Sequence, residues 1–266
     1  MIPYLELPSF NLFGEVLQPY TYLVMLGMAL CFVLAQRRVK QVGLYGTLSA
    51  VGLFWIAVGG FLGAHVVDVI AYHPERLAKN PWILLSIWDG LSSFGGFLGG
   101  SLAFWIYCKR QGIWMLAYLD ALVFGFAPGW IIARGGCFAA HDHPGWPSDF
   151  FLAVAYPGGA RHDLGLYELL VAVAITAVLY LLPKRRRFVG FYIGLGFVLY
   201  GSARFGLDFL RAIDVRYLQL TPAQWLSIGM VAIGVTLLVR GPQAGYLPDP
   251  AAEAQLLEED DQDDQD

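Results

Sequence analysis

Long apolar stretches constrain this chain more than any other feature. Seven of them fall near residues 18–36, 45–72, 92–108, 116–139, 165–183, 188–206 and 222–240. A helix needs roughly 20 apolar residues to cross a bilayer. Inside hydrocarbon it must also satisfy its own backbone hydrogen bonds. The expected fold class is therefore all-α: a polytopic membrane protein with about seven transmembrane helices. Composition agrees, at 57% hydrophobic and 14% charged with a mean hydropathy of +0.56. A soluble domain carries about 25% charged residues. The second stretch is long, and a tilt or break is expected at its glycine-rich middle, GGFLGAH. The third is short and glycine-rich, and is expected to begin as a loop lined by protein or a cavity.

The formal net charge of −4 hides two unlike parts. From Asp249 onward there are nine acids and no base, so residues 1–248 hold 17 bases against 12 acids. The organisation expected is a membrane domain over 1–240 and an acidic tail over 241–266, disordered by composition. No cleavable signal peptide is expected, because the first apolar run follows Glu6 and Glu15 and has no basic leader. Cys31, Cys108 and Cys137 form no CxxC pair, so neither a disulfide framework nor a zinc site is indicated.

Loop charges set an orientation. Arg37, Arg38, Lys40, Lys109, Arg110, Lys184, Arg185, Arg186, Arg187 and Arg240 follow alternate spans on one side. Arg76, Lys79, Arg161, Arg211 and Arg216 occupy the other. The positive-inside rule places the first set in the cytoplasm, with the N-terminus outside and the acidic tail inside. The outside loops, at 73–91, 140–164 and 207–221, are the longer ones and hold most of the His, Trp, Asp and Pro. They form a periplasmic-side loop region where function is expected.

Two arginines stand out on this topology, Arg134 in WIIARGGCF and Arg204 in YGSARFGLDF. A guanidinium at bilayer depth costs roughly 2.5 kcal/mol or more, and persists where it meets a partner, a polar cavity or an anion. Both fall near the outer ends of their spans, and the nearest anion there is a lipid phosphate. Tyr200, Arg204, Asp208 and Arg211 share one helical stripe. Asp208 can brace Arg204, and Tyr200 can donate to a bound anion; a structural ion pair closing the helix end is the plainer alternative. Arg134 could equally snorkel to the interface. Gly135 and Gly136 beside it, and Gly95 and Gly96 in GGFLGG, allow close backbone approach to a head group, or simply close helix packing. His141, Asp142 and His143 in HDHPG offer a general base poised near neutral pH, or only a polar turn. Their ligand set is too loose to predict a metal. His65 and Asp68 lie at the same end, whereas Asp120 is set apart from it and Glu168 is assigned to neither.

With those residues placed, the chain resembles the bacterial prolipoprotein diacylglyceryl transferases. The resemblance runs over most of residues 17–240 as an ordered series. It comprises GGFLGAHVVDVIAYHPERLAKNP, WDGLSSFGGFLGG, ARGGCFAAHDHPG, RHDLGLYE and YGSARFGLDFLRAIDV. It implies a multi-pass protein of the bacterial inner membrane that moves the diacylglyceryl group of phosphatidylglycerol onto the lipobox cysteine of a prolipoprotein signal peptide. Glycerol phosphate would leave. Arg134 and Arg204 would hold the phosphate, with Tyr200, Asp208 and Arg211 in support. Neither a cofactor nor nucleic acid is expected, and membrane lipids are the surroundings. The chain departs from the family pattern in places. The family histidine before the diglycine of the third-span motif is absent from SSFGGF, its signature asparagine falls at Cys137, a basic residue falls at Phe61, and its signature acid is kept as Asp142. A free thiol has a pKa near 8.5 and needs a proton acceptor. The candidates are His141 and His143, oriented by Asp142, with His65 in reserve. Electrostatic help from the arginines is the competing means. A non-catalytic lipid-binding or transport-related protein on the same scaffold is the alternative function.

Overall fold

The computed structural model describes residues 1–12, 15–86, 90–183, 187–212 and 214–245. Trp88 and Asp89 of the third-span motif, Lys184, Arg185 and Arg186 of the basic loop, and the acidic tail from Asp249 lie outside the described residues.

The chain builds α1 (Pro19–Gln41), α2 (Gly46–Val67), a short α3 (Pro74–Lys79), α4 (Ser93–Gln111), α5 (Met115–Ala140), α6 (Leu164–Leu181), α7 (Phe191–Leu207) and α8 (Pro222–Arg240). The seven long helices coincide with the seven apolar stretches. Six are long and apolar enough to cross a membrane. The other, α4, has 19 residues, enough for about 28 Å at 1.5 Å each. Its glycines and its Lys109–Arg110 end make it less apolar. It starts as a helix and not as a loop, with the Ser92 hydroxyl accepting from the Gly95 amide at 3.4 Å. Side chains such as Phe54, Leu181 and Val239 stay open on the outer surface, as lipid-facing residues do.

The GGFLGAH middle of α2 does not break the helix. Gly59 and Gly63 face Gly95 and Gly99 of α4 so closely that a Cβ at any of the four would strike the opposing helix. Membrane helices lack a hydrophobic force between them, and small residues give the close backbone contact that holds them together. The break comes after the seam, in a π-turn at Asp68–Tyr72. Similar small-residue seams join α1 to α5 through Gly27, Gly125 and Gly129, and α7 to α8 through Gly194, Gly201 and Gly234. Packing of α6 on α5 and α7 completes the bundle.

At the end where α5 and α7 finish, the 140–164 loop folds into a small sheet that hydropathy does not reveal. Strands β3 (Pro144–Pro147), β4 (Val154–Tyr156) and β5 (Gly159–Asp163) pair antiparallel in the order β3-β5-β4. A two-stranded hairpin, β1 (Phe10–Leu12) with β2 (Glu15–Leu17), precedes α1. The N-terminal segment adds to the sheet, with the Ile2 amide donating to Ala153 at 2.8 Å. All-α therefore describes the membrane body, and a minor β cap covers its arginine end.

Candidate functional site

The arginine end is built on a carboxylate. Glu168 sits in the second turn of α6, with a side chain only 1% exposed. One of its oxygens pairs with Arg204 Nη1, and the other lies 2.7 Å from Arg134 Nη2. Arginines 70 residues apart in sequence thus meet on one acid. Glu168 belongs to this end of the bundle and is not set apart from it. The signal was present: Asp163 accepts from the Leu166 amide at 3.0 Å as the N-cap of α6, which places Glu168 one turn inside the helix start.

The Tyr200–Arg211 stripe assembles around the pair. Arg134 Nη2 donates to the Tyr200 hydroxyl at 3.3 Å, which leaves the tyrosine's own proton to donate. Arg204 Nη2 lies 3.2 Å from Asp208 Oδ1, and Arg211 Nε lies 3.3 Å from the same oxygen. The other oxygen of Asp208 accepts from Thr221, the N-cap of α8. Asp208 therefore fixes two arginines to the start of a third helix. Arg211 also reaches Asp214 at 3.5 Å. Arg134 lies over the Trp130 ring, 4.4 Å from its centroid. Its Nε is buried without a hydrogen-bond partner among the described residues. A guanidinium with a spare buried donor, beside a free tyrosine proton, suits an incoming anion better than a closed structural ion pair does.

The glycines require a correction. Gly95 packs on Gly63 and Val67, and Gly96 lies over Gly60 and Ala64. Both belong to the α2–α4 seam and do not cradle a ligand. Gly136 faces Tyr20 and Leu23 of α1, whereas a Cβ at Gly135 would meet nothing. The open space beside Arg134 is therefore at Gly135, one of the two glycines expected to allow it.

The three members of HDH separate. His141 ends α5 in the left-handed region, at φ 49°. Its Nδ1 lies 2.8 Å from Asp163 Oδ2 and its Nε2 3.1 Å from the Leu5 carbonyl, and its ring stacks on Tyr4. Both nitrogens are engaged with acceptors of the protein itself, so neither stands open to an incoming thiol. The expectation of a base at His141 gives way to a pin between the sheet cap and the N-terminal segment. Tyr156 donates to the same Asp163 oxygen at 2.8 Å. Burial first, and the Asp163 carboxylate next, hold that phenol well above its ordinary pKa. His65 is closed in the same way, with Nε2 3.0 Å from the Ile83 carbonyl and Nδ1 3.4 Å from that of Gly90. It anchors the loop after α3 and does not stand in reserve as a base.

His143 differs. Its Nδ1 lies 2.9 Å from the Asp142 carbonyl and 3.6 Å from Asp142 Oδ1. A carbonyl only accepts, so Nδ1 carries the proton and Nε2 keeps its lone pair. Burial pushes His143 below the ordinary histidine range, against the opposing pull of Asp142. Cys137, one turn back on α5, accepts from Arg134 Nη1 at 3.6 Å and comes close to both Asp142 and His143.

Two hollows flank this end. One of about 450 Å³ lies between the N-terminal segment and the ends of α1 and α5, lined by Glu6, Gln18, Tyr20 and Ala140 among others. It does not contain the arginines. The other, about 380 Å³, is lined by Phe150, Leu152, Tyr167, Leu170, Leu207 and Leu210 among others, and is almost wholly apolar.

Fold and cluster together define a multi-pass integral membrane protein with a buried arginine–carboxylate network at one end. The chain belongs to the prolipoprotein diacylglyceryl transferase family, whose model matches residues 9–240. It is 32% identical over 232 residues to the phosphatidylglycerol–prolipoprotein diacylglyceryl transferase of Pseudomonas aeruginosa, covering 83% of this chain and 87% of that one. It is 31% identical over 230 residues to the enzyme of that name from Chromohalobacter salexigens, covering 83% and 86%. The Roseobacter denitrificans protein of the same name is 29% identical over 281 residues, covering 90% and 96%.

Proposed function

We propose that this protein transfers the diacylglyceryl group of phosphatidylglycerol to the lipobox cysteine of prolipoprotein signal peptides, at the outer face of a bacterial inner membrane. The observation that carries this reading is the meeting of Arg134 and Arg204 on Glu168, with the Arg134 Nε unpaired. Family membership and the names of the relatives support it. So does the loop charge bias, which favours an outside N-terminus and an arginine end facing outward.

The reaction displaces phosphate from carbon. The acceptor sulfur forms a bond to the glycerol carbon esterified to phosphate. The carbon–oxygen bond breaks, and its electron pair leaves with glycerol phosphate. Arg134 and Arg204 hold the phosphate and stabilise the charge it gains on departure, where oriented donors in a dry site are worth most. Tyr200 donates to a phosphate oxygen. Asp208 and Arg211 fix the Arg204 side of the grip. The apolar groove beside Tyr167 and Leu207 suits an acyl chain of the same lipid. Loss of the thiol proton falls to the Asp142–His143 side of the loop, since His141 and His65 are closed.

The deciding experiment is purified transfer. The protein in detergent, given phosphatidylglycerol and a lipobox peptide, should yield the thioether-linked peptide and glycerol phosphate. Its gene should also rescue a strain lacking its own transferase. Phosphatidylglycerol binding without product and without rescue would establish the non-catalytic lipid-binding alternative instead.

A further inference from the structure

The end of the bundle opposite Glu168 carries a second pair of arginines, built differently from the first. Arg37, Lys40, Lys109, Arg110 and Arg240 are exposed there, whereas Arg38 and Arg187 are half-buried. Arg38 stands over the Phe124 ring, 4.5 Å from its centroid, and Arg187 over the Phe191 ring at 4.7 Å. Those rings belong to one patch. Phe124 meets Tyr180 at 5.6 Å and Tyr192 at 4.7 Å, and Tyr192 meets Phe191 at 5.2 Å, between centroids. Asp120, one turn before Phe124, fixes the patch through the amides of Gly190 and Ile193, which flank Phe191 and Tyr192. We infer that Arg38 and Arg187, on this patch, bind the phosphate of an anionic phospholipid of the leaflet at that end.

Arg134 and Arg204 share the charge of Glu168. Among the described residues Arg38 and Arg187 have no carboxylate partner, and each keeps a buried Nε without a hydrogen-bond partner. A buried donor left unpaired is costly, and a ligand that supplies the acceptor removes the cost. Stacking on a ring holds a guanidinium by its face and leaves its edge free. That edge, Nε with one Nη, matches two oxygens of a phosphate. The exposed cations around the pair offer the same charge without a fixed edge.

The setting selects a lipid over a soluble anion. Val178, Tyr180 and Leu181, at the end of α6, are open on the outer surface, with Leu181 82% exposed. The Tyr180 hydroxyl donates to the Phe124 carbonyl at 2.7 Å, which ties that surface to the ring beneath Arg38. A phosphate on the arginines therefore has apolar helix surface beside it for acyl chains. Loop charges favour a cytoplasmic position for this end, and basic pockets between membrane helices on that side hold anionic head groups. Phosphatidylglycerol and cardiolipin share the required phosphodiester. The site stands apart from the Arg134–Glu168 cluster, so the inference does not depend on the transferase reading.

The test titrates full-length protein, delipidated in neutral detergent, with cardiolipin, phosphatidylglycerol or phosphatidylethanolamine, and counts bound lipid by native mass spectrometry. Phosphatidylglycerol is titrated in an Arg134→Lys background, which weakens its proposed donor site. Anionic lipid should bind more tightly than the zwitterionic phosphatidylethanolamine. Arg38→Gln with Arg187→Gln should lose at least about 10-fold in affinity for anionic lipid. Arg37→Gln with Lys40→Gln removes the same charge from exposed positions and should lose less than about 2-fold. Arg38→Lys with Arg187→Lys keeps the charge and drops the fork. A clear loss in that variant, at the wild-type unfolding midpoint, excludes misfolding as the cause. Loss for both anionic lipids assigns the shared phosphate, and loss for cardiolipin alone assigns the two-phosphate lipid. Equal losses in the two glutamine variants, or no preference for anionic lipid, would overturn the site. So would lipid that binds only after residues 249–266 are deleted, because the acidic tail would then be the occupant.

Discussion

Asp120 and Glu168 are both acids buried in apolar helices, and the protein treats them in opposite ways. Asp120 lies near the start of α5. Its oxygens accept from the backbone amides of Gly190 at 2.7 Å and Ile193 at 2.9 Å. It caps α7 from a neighbouring helix, satisfying amides that the first turn leaves open and meeting the positive end of the helix dipole. Among the described residues no guanidinium bonds to it, and nothing in the arrangement asks for a ligand. Glu168, at the other end of the same bundle, is shared by two arginines, and Arg134 keeps a donor in reserve. A buried charge saturated by backbone is architecture. A buried charge network with spare donors is what the proposed anion site requires.

The sharpest way to break that contrast is to weaken the grip without removing its charge. Arg134→Lys and Arg204→Lys each keep a cation near Glu168 but lose the planar fork that holds phosphate at two points. Each should lower transfer by about 100-fold, the loss typical of one donor to a developing oxyanion. Thermal stability should change far less. Turnover within a few-fold of wild type for both variants would show that the arginines serve only Glu168.

Asp120 should show the reverse. Asp120→Ala leaves two buried amides of α7 without acceptors and should cost about 1–3 kcal/mol of stability. Turnover per folded molecule should hold within a few-fold. A midpoint of unfolding equal to wild type, or a transfer defect exceeding the folded fraction lost, would erase the distinction between the two ends.

The membrane body was legible because length and hydropathy alone decide where a helix can cross. The convergence of Arg134, Tyr200, Arg204 and Asp208 was legible because alternation of spans fixes which end each residue occupies. What stayed hidden depends on distance across helices. Glu168 was left unassigned because its depth is set by a cap at Asp163 that hydropathy does not register. Gly135 and Gly136 are chemically alike, and only the rotation of α5 against α1 decides which one faces open space. His141 and His143 look equivalent in HDH. A left-handed residue and the β cap then turn one inward onto Asp163 and bring Cys137 in beside the other.

His141 offers a smaller effect that separates scaffold from catalysis. His141→Gln should break the bridge from Asp163 to Leu5 and cost about 1 kcal/mol. Residues 1–9 should become more sensitive to protease. The accompanying loss of turnover should follow the folded fraction and should not recover as pH rises. Recovery at alkaline pH, where the acceptor thiol ionises unaided, would restore His141 as the base.

The smallest effect is expected from the acidic tail. α8 runs from Thr221, whose hydroxyl binds Asp208 at the arginine end, to Arg240, followed by Gly241 against Phe188 near the start of α7. Arg240 therefore lies at the Asp120 end, a helix length from Arg134 and Arg204. A 19-residue helix rises about 28 Å, about three and a half Debye lengths at physiological ionic strength. On the proposed orientation the tail's nine negative charges lie across the membrane from the arginine end, and should have little hold on a phosphate bound there. Deleting residues 249–266 should leave transfer within a few-fold in detergent and the unfolding midpoint unchanged. A near-total loss in a well-folded variant would mean that the two ends are coupled, and that the Asp120 end does more than cap a helix.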